Sequence, residues 1–252
     1  MHYFEHPLFG PFDSEVYNAI ALYELYLRYY KHSLAFNNFP YSVYTIGSCF
    51  SVRAEAYVMQ GGMNKKQAGE DFYFIHKIIQ LGRVYELNSL CVYPSSRISD
   101  RVPFGTGPEL KQIIESSTPY AVYPYHSIRI LNKLFSNLEF LYDNDFVDLH
   151  SLLDDLLVDY LESVDFQNTL NEIKSNTAGM ESFKKRFFRW FDAFRVIKFL
   201  NYSLSVYPKL PIEAELVKYF ADSGMSNTQL SIVELLNVLR EKDRGKSCVR
   251  VC

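Results

Sequence analysis

This 252-residue sequence has no excess of positive charge, no disulfide framework, no long apolar run and no internal repeat. Each absence removes a class of protein. With 26 Lys+Arg against 29 Asp+Glu and a net charge of −3, the chain lacks the basic stripe that a phosphate backbone demands, so no nucleic-acid partner is expected. Of 4 cysteines, Cys49 and Cys91 lie in apolar surroundings and Cys248 and Cys252 lie in a terminal Ser-Cys-Val-Arg-Val-Cys run. That pattern fits free thiols in a reducing compartment. The longest stretch without Asp, Glu, Lys or Arg, His32 to Val52, is interrupted by Asn37, Asn38, Pro40, Ser42, Thr45, Ser48 and Ser51, which excludes a spanning helix there. Met1–His6 has no basic region leading into an apolar run, so no secretory signal is expected and a cytoplasmic location is. Glycine and proline are sparse, at 11 and 10 residues, beside 48% hydrophobic residues. Such a chain buries enough apolar surface to offset its ordering entropy, and disorder is excluded.

What is present is a change of character along the chain. Apolar residues at helical spacing (Val16, Ile20, Tyr23, Leu27) predict a helix from an Asp13 N-cap to about Lys31. Tyr41–Val52 is β-branched, aromatic and small, which predicts one or two buried strands broken near Gly47-Ser48. A short helix ending at Gly61-Gly62 follows, then a helix over 71–81 with Glu70-Asp71 at its start and Gly82 beyond its end. Two short strands are expected near Arg83–Leu87 and Leu90–Tyr93, and the run Pro94–Pro108 reads as a long loop. Beyond Pro108 the 3.6-residue period recurs to the end, with breaks near Tyr120–Pro124, Ser175–Gly179, Tyr207–Pro211 and Ser223–Asn227. The expected architecture is therefore helix-rich α/β, with an α/β portion at 1–118 and an all-α subdomain at 119–252.

The second half also segregates its charge. No Lys or Arg occurs between Lys133 and Lys174, whereas residues 183–198 interleave Lys184, Lys185, Arg186, Arg189, Arg195 and Lys198 with Phe183, Phe187, Phe188, Trp190, Phe191 and Phe194. Two readings follow: acidic and basic helices packed side by side, or a basic-aromatic helix lying on anionic lipid, which would make the protein peripheral to the inner face of the membrane. A non-enzymatic helical module that binds a partner protein or an anionic surface is the corresponding functional class.

Chemistry-bearing patterns are few. The six histidines (His2, His6, His32, His76, His126, His150) are scattered, and no zinc set forms from them. No Gly-x-Ser-x-Gly elbow occurs, and Cys49 lies in a largely apolar stretch that raises a thiol pKa. Asp143-Asn144-Asp145 has the spacing of a divalent-cation pair but sits in a generally acidic helical region, where a solvated helix junction explains it. Glu70-Asp71 opens a helix, where free N–H groups and the macrodipole favour the ionised carboxylate that general-base activation of a hydroxyl needs; capping alone also accounts for it. Arg97 and Arg101, with Ser99, offer two permanent cations and a hydroxyl, and Gly105-Thr106-Gly107-Pro108 then opens a helix. That set suits a diphosphate, and equally a solvated surface loop.

The order of these pieces, Thr45-Ile46-Gly47-Ser48-Cys49-Phe50-Ser51-Val52-Arg53, Gly61-Gly62-Met63, Ala68-Gly69-Glu70-Asp71-Phe72-Tyr73-Phe74 and Gly82, resembles the acceptor-side half of family-2 inverting glycosyltransferases of the GT-A type. The resemblance covers roughly residues 40–107. It implies that Asp71 deprotonates the acceptor hydroxyl and that Glu70 orients acceptor. Gly61, Gly62 and Met63 would line the acceptor loop, and Arg97, Ser99, Arg101, Gly105 and Gly107 would close over the donor diphosphate. The implied partners are a nucleotide sugar and a saccharide or other hydroxyl acceptor, with Mg²⁺ or Mn²⁺ on the diphosphate. In that family a donor-binding unit ending in Asp-x-Asp precedes the Glu-Asp pair. Asp13 is the only aspartate before Asp71, so an upstream donor-binding half is expected to be missing from these residues. The chain alone is therefore expected to release no nucleoside diphosphate from a panel of nucleotide sugars with Mg²⁺ or Mn²⁺. Robust release would overturn that expectation.

Overall fold

The computed structural model describes residues 1–65, 69–99, 103, 105–225, 230–245 and 248–250. In chain order they form β1 (His2–Phe4), α1 (Ser14–Phe36), a 3₁₀ turn at Gly47–Cys49, α2 (Ala54–Met59), α3 (Glu70–Ile79), β2 (Tyr85–Val92) and α4 (Thr106–Glu115). Then come β3 (Ala121–Val122), α5 (Tyr125–Ser136), α6 (Leu138–Asp143), α7 (Phe146–Leu149), a 3₁₀ turn at His150–Leu152, α8 (Asp155–Ser163), α9 (Phe166–Ser175), α10 (Met180–Trp190) and α11 (Ala193–Ser203). The described chain closes with β4 (Leu210–Pro211), α12 (Ile212–Ser223), α13 (Ile232–Arg244) and β5 (Cys248–Arg250). It is helix-rich with a few short strands, and none of its described helices is long and apolar enough to cross a membrane.

The chain divides into two compact units, one of Met1–His32, Tyr41–Ala121 and Pro211–Cys252, the other of Ser33–Pro40 and Val122–Leu210. Unlike a division at 118/119, this grouping returns residues 211–252 to the N-terminal part. The reason lies in the sheet of the first unit: β2 is central, with β1 parallel on one side and β5 antiparallel on the other. The chain's last described residues thus pair with Tyr85–Leu87, and the expected all-α remainder ends in a strand.

Two further expectations are corrected here. Tyr41–Val52 forms no strand; Cys49 N–H donates to the Ile46 carbonyl at 2.9 Å in a tight turn, and Tyr44 and Cys49 bury their side chains against Phe4. The β-type residues mark burial at this place, not a ladder. The two strands expected at 83–93 are one: Asn88 stays in β2 and donates its side-chain amide to the Asp243 carbonyl at 2.7 Å.

In the second unit the aromatic face of 183–198 is core. Phe183, Phe187, Phe188 and Phe191 are buried, with Phe187 stacked on Phe191 at 6.0 Å and Phe135 edge-on to Phe191 at 5.3 Å. Lys185, Arg186, Arg189 and Lys198 remain exposed, while Lys184 reaches Glu139 at 3.2 Å and the Arg195 guanidinium lies 3.9 Å over Trp190. The apolar half that a lipid surface would take is spent inside this unit.

The first unit is organised by buried charge. The stripe that begins at Val16 and Ile20 on α1 continues one and two turns on as Glu24 and Arg28, both fully buried. The Glu24 carboxylate accepts from Arg28 Nε at 3.0 Å and Nη2 at 2.8 Å, from Arg240 Nε at 2.8 Å and Nη2 at 2.9 Å, and from the His6 N–H at 2.8 Å. Arg28 also donates to the Phe4 carbonyl at 2.5 Å and to Asp243. Asp243 in turn accepts from Lys31 at 3.0 Å and from the Tyr44 hydroxyl at 2.6 Å, and Lys31 bridges on to Glu86 at 2.9 Å. Burial raises the Glu24 and Asp243 carboxyls, but the surrounding cations and donors outweigh it, and both end below their ordinary values. Burial outweighs Asp243 at His32, which is pushed down.

Removing one member leaves the others charged and unpaired in the interior, so Glu24→Leu or Arg28→Met should cost about 3–5 kcal/mol in denaturant unfolding. In all three groups the unfolded chain binds more protons than the folded one, so stability rises with pH. Unfolding free energy should begin to fall below the ordinary histidine pKa of 6.5 and fall further below the ordinary glutamate pKa of 4.5. Buried His76 is shifted in the same direction, so His32→Gln should make the upper part of that profile shallower without abolishing it; an unchanged slope there would remove His32 from it.

Candidate functional site

The Glu-Asp pair opens α3 as expected, with Glu70 its first residue and Gly69 in the left-handed region at φ 73° before it. Asp71 is half-buried. Its carboxylate accepts from the Phe72 N–H at 2.7 Å and from the Gly47 N–H. A Cβ on Gly47 would stand 2.6 Å from Asp71 Oδ2, so only glycine lets the turn approach the acid this closely. The pieces at Gly47-Ser48 and at Glu70-Asp71, 24 positions apart in the chain, are therefore in direct contact. The helix start does not set the acid's pKa by itself. Burial raises it and Glu70 adds to the rise, against the lowering by the Phe72 and Gly47 N–H groups; the net direction is upward.

The start of α4 belongs to the same neighbourhood. Tyr23 on α1 is hydrogen-bonded to the Thr106 side chain and feels the charges of Glu109 and Asp71; burial first, then Glu109, push its hydroxyl up to about 12. Gly105 is the N-cap of α4 at φ 112°, and Gly107, in its first turn, packs on the Ser99 backbone, where a Cβ would meet the Ser99 carbonyl oxygen at 2.5 Å. The fold thus brings Ser99, Gly105 and Gly107 to the residues around Asp71, with Arg97 exposed on the same loop. Arg101 lies outside the described residues.

Gly61 and Gly62 close α2 as expected, donating to the Val58 and Tyr57 carbonyls, both at 2.9 Å. The Tyr57 ring covers Gly62 and meets Phe74 of α3 at 5.3 Å, and Phe50, just after the Gly47 turn, meets Phe74 at 6.1 Å. This aromatic bridge ties the Gly61-Gly62-Met63 loop to the helix that carries Asp71. His76, one turn further along α3, is buried against the Phe72 ring at 4.5 Å, and burial pushes it down to about 4. It is neutral near pH 7.

Tyr23 and Tyr57 are members that the sequence did not point to. Tyr23 belongs to an apolar face of α1 that reads as core, and nothing in its spacing marks it for the site.

Asp143 ends α6, and Asp145 caps α7 in a reciprocal capping box with Asp148, so this Asp-x-Asp is a helix junction. Among the described residues no three His, Cys, Asp or Glu side chains gather as a metal site.

Gly47→Ala should force the Asp71 carboxylate from its N–H donors and raise its pKa further, measurable by side-chain carboxyl NMR. Gly107→Ala meets backbone, which yields less than a side chain; it should cost about 1–3 kcal/mol in thermal or denaturant unfolding. No family model, curated protein or solved structure matches the chain.

Proposed function

We propose that this chain carries the acceptor and base elements of an inverting sugar transferase of GT-A type, with the donor nucleotide held mainly by a separate or upstream unit. The observation that supports this reading is the contact of the Gly47 turn with Asp71 beside the α4 start, since these are the pieces whose order resembles that family. In the proposed step Asp71 takes the proton of an acceptor hydroxyl. The freed oxygen bonds to the anomeric carbon from the face opposite the leaving group, as the anomeric C–O bond breaks and its electron pair departs with the nucleoside diphosphate. A carboxylate raised by burial is the stronger base, and two N–H donors fix it in place. Glu70, adjacent on the first turn, contacts acceptor in this reading. Exposed Arg97, with the N–H groups at Gly105–Gly107, supplies positive potential for the diphosphate.

Asp71→Asn, made in the chain joined to its donor-binding unit, should lower transfer by about 10²–10⁴-fold with nucleotide-sugar affinity unchanged. Because the folded state holds the Asp71 pKa above its ordinary 3.8, its charge costs stability near pH 7, and the amide variant should melt no lower than the parent. Retained transfer would remove Asp71 from the base role.

A further inference from the structure

We infer that the α2 face of the first unit is a docking surface for an anionic lipid bilayer. The inference stands apart from the sugar-transfer reading. Helix α2 buries none of its side chains, and it presents Tyr57, Val58 and Met59 in succession, with Val58 74% and Met59 71% exposed. Val58 and Met59 are adjacent exposed apolar side chains on a helix that buries none of its own residues, beside the Tyr57 ring that packs on Phe74, and they form a surface awaiting a cover.

The charges around it state the chemistry of that cover. Arg53 is the N-cap of α2 and Lys65 follows the Gly61-Gly62 turn that folds back onto Tyr57; both are exposed. Lys77 stands on the exposed side of α3, three residues after Phe74, on which Tyr57 packs, and Arg83 follows the end of the same helix, also exposed. None of these four cations is ion-paired with a described residue, and the carboxylates of the same two helices are exposed Glu55 on α2 and partly exposed Glu70 and Asp71 at the α3 start. The chain as a whole carries −3, so the excess of four unpaired cations over three carboxylates on these two helices and their flanks runs against the overall sign. A bilayer surface takes this combination: apolar side chains enter the acyl boundary while Lys and Arg sit among anionic headgroups. The basic-aromatic segment 183–198, the other region of such composition, has its aromatic side buried in its own unit.

The test is sedimentation of the full chain with vesicles of phosphatidylcholine alone and of phosphatidylcholine with phosphatidylglycerol, at low and physiological salt. Binding should require the anionic lipid, weaken with salt, and fall about tenfold or more in Val58→Asp/Met59→Asp and in Lys65→Glu/Lys77→Glu. Circular dichroism should show both variants folded, and if the aspartate variant is not, Val58→Ser/Met59→Gln is read in its place. Absence of binding to anionic vesicles overturns the inference. So does binding undiminished by the α2 variants but lost in Lys185→Glu/Arg186→Glu/Arg189→Glu, or self-association in light scattering that the α2 variants abolish in a chain that ignores vesicles.

Discussion

The Glu24 carboxylate, enclosed by two guanidinium groups and a backbone N–H, is the constraint on which the first unit depends. A buried carboxylate is tolerable only when each of its oxygens is satisfied and its charge is matched. Arg28 and Arg240 supply the match, and their remaining donors reach the Phe4 and His6 carbonyls of the segment that begins the chain. Asp243 then balances Arg28 and Lys31. The position of α1 against β1 and α13 is thus set by directional bonds with little tolerance for a slip of register, which apolar packing alone does not provide.

The candidate site inherits that order. Tyr23 precedes Glu24 by one residue, so the rotation that buries Glu24 and Arg28 also aims Tyr23 toward Thr106 and Asp71. Behind it, Val16, Ala19 and Ile20 pack with Leu110 of α4, which seats the helix whose first turn holds Gly105 and Gly107. A polar network on one side of α1 and an apolar cluster nearer its start therefore place the pieces that surround Asp71.

Much of this was legible in the sequence, and what was not has a physical reason. The starts of the helices at 14–36, 54–59 and 70–79 and the breaks near Tyr120–Pro124, Ser175–Gly179 and Tyr207–Pro211 are local matters of period, glycine and proline, and they lie where those signals put them, although α1 runs past its expected end at about Lys31 to Phe36. The Glu-Asp pair was equally legible, because a helix start is a local event. Strand assignments failed at Tyr41–Val52 and at Cys248–Arg250 because a strand exists only through a partner, and no window of sequence names the partner. The charge network was hidden for a related cause: Glu24 and Arg28 read as ordinary helix residues until Arg240, 216 positions away, is brought beside them. Asp71's pKa direction was hidden too, since the helix start shows in sequence while burial does not.

The division of the chain also sets an order of events during synthesis. All of the second unit, up to Leu210, is made before α13, which carries Arg240 and Asp243. The helical unit can close as soon as it emerges. The first unit must hold Glu24, Arg28 and Lys31 in water until the final stretch arrives, because burying them earlier strands their charge. The closure that pairs Glu24 with Arg240 spans most of the polypeptide, and non-local contacts of that kind are slow to form.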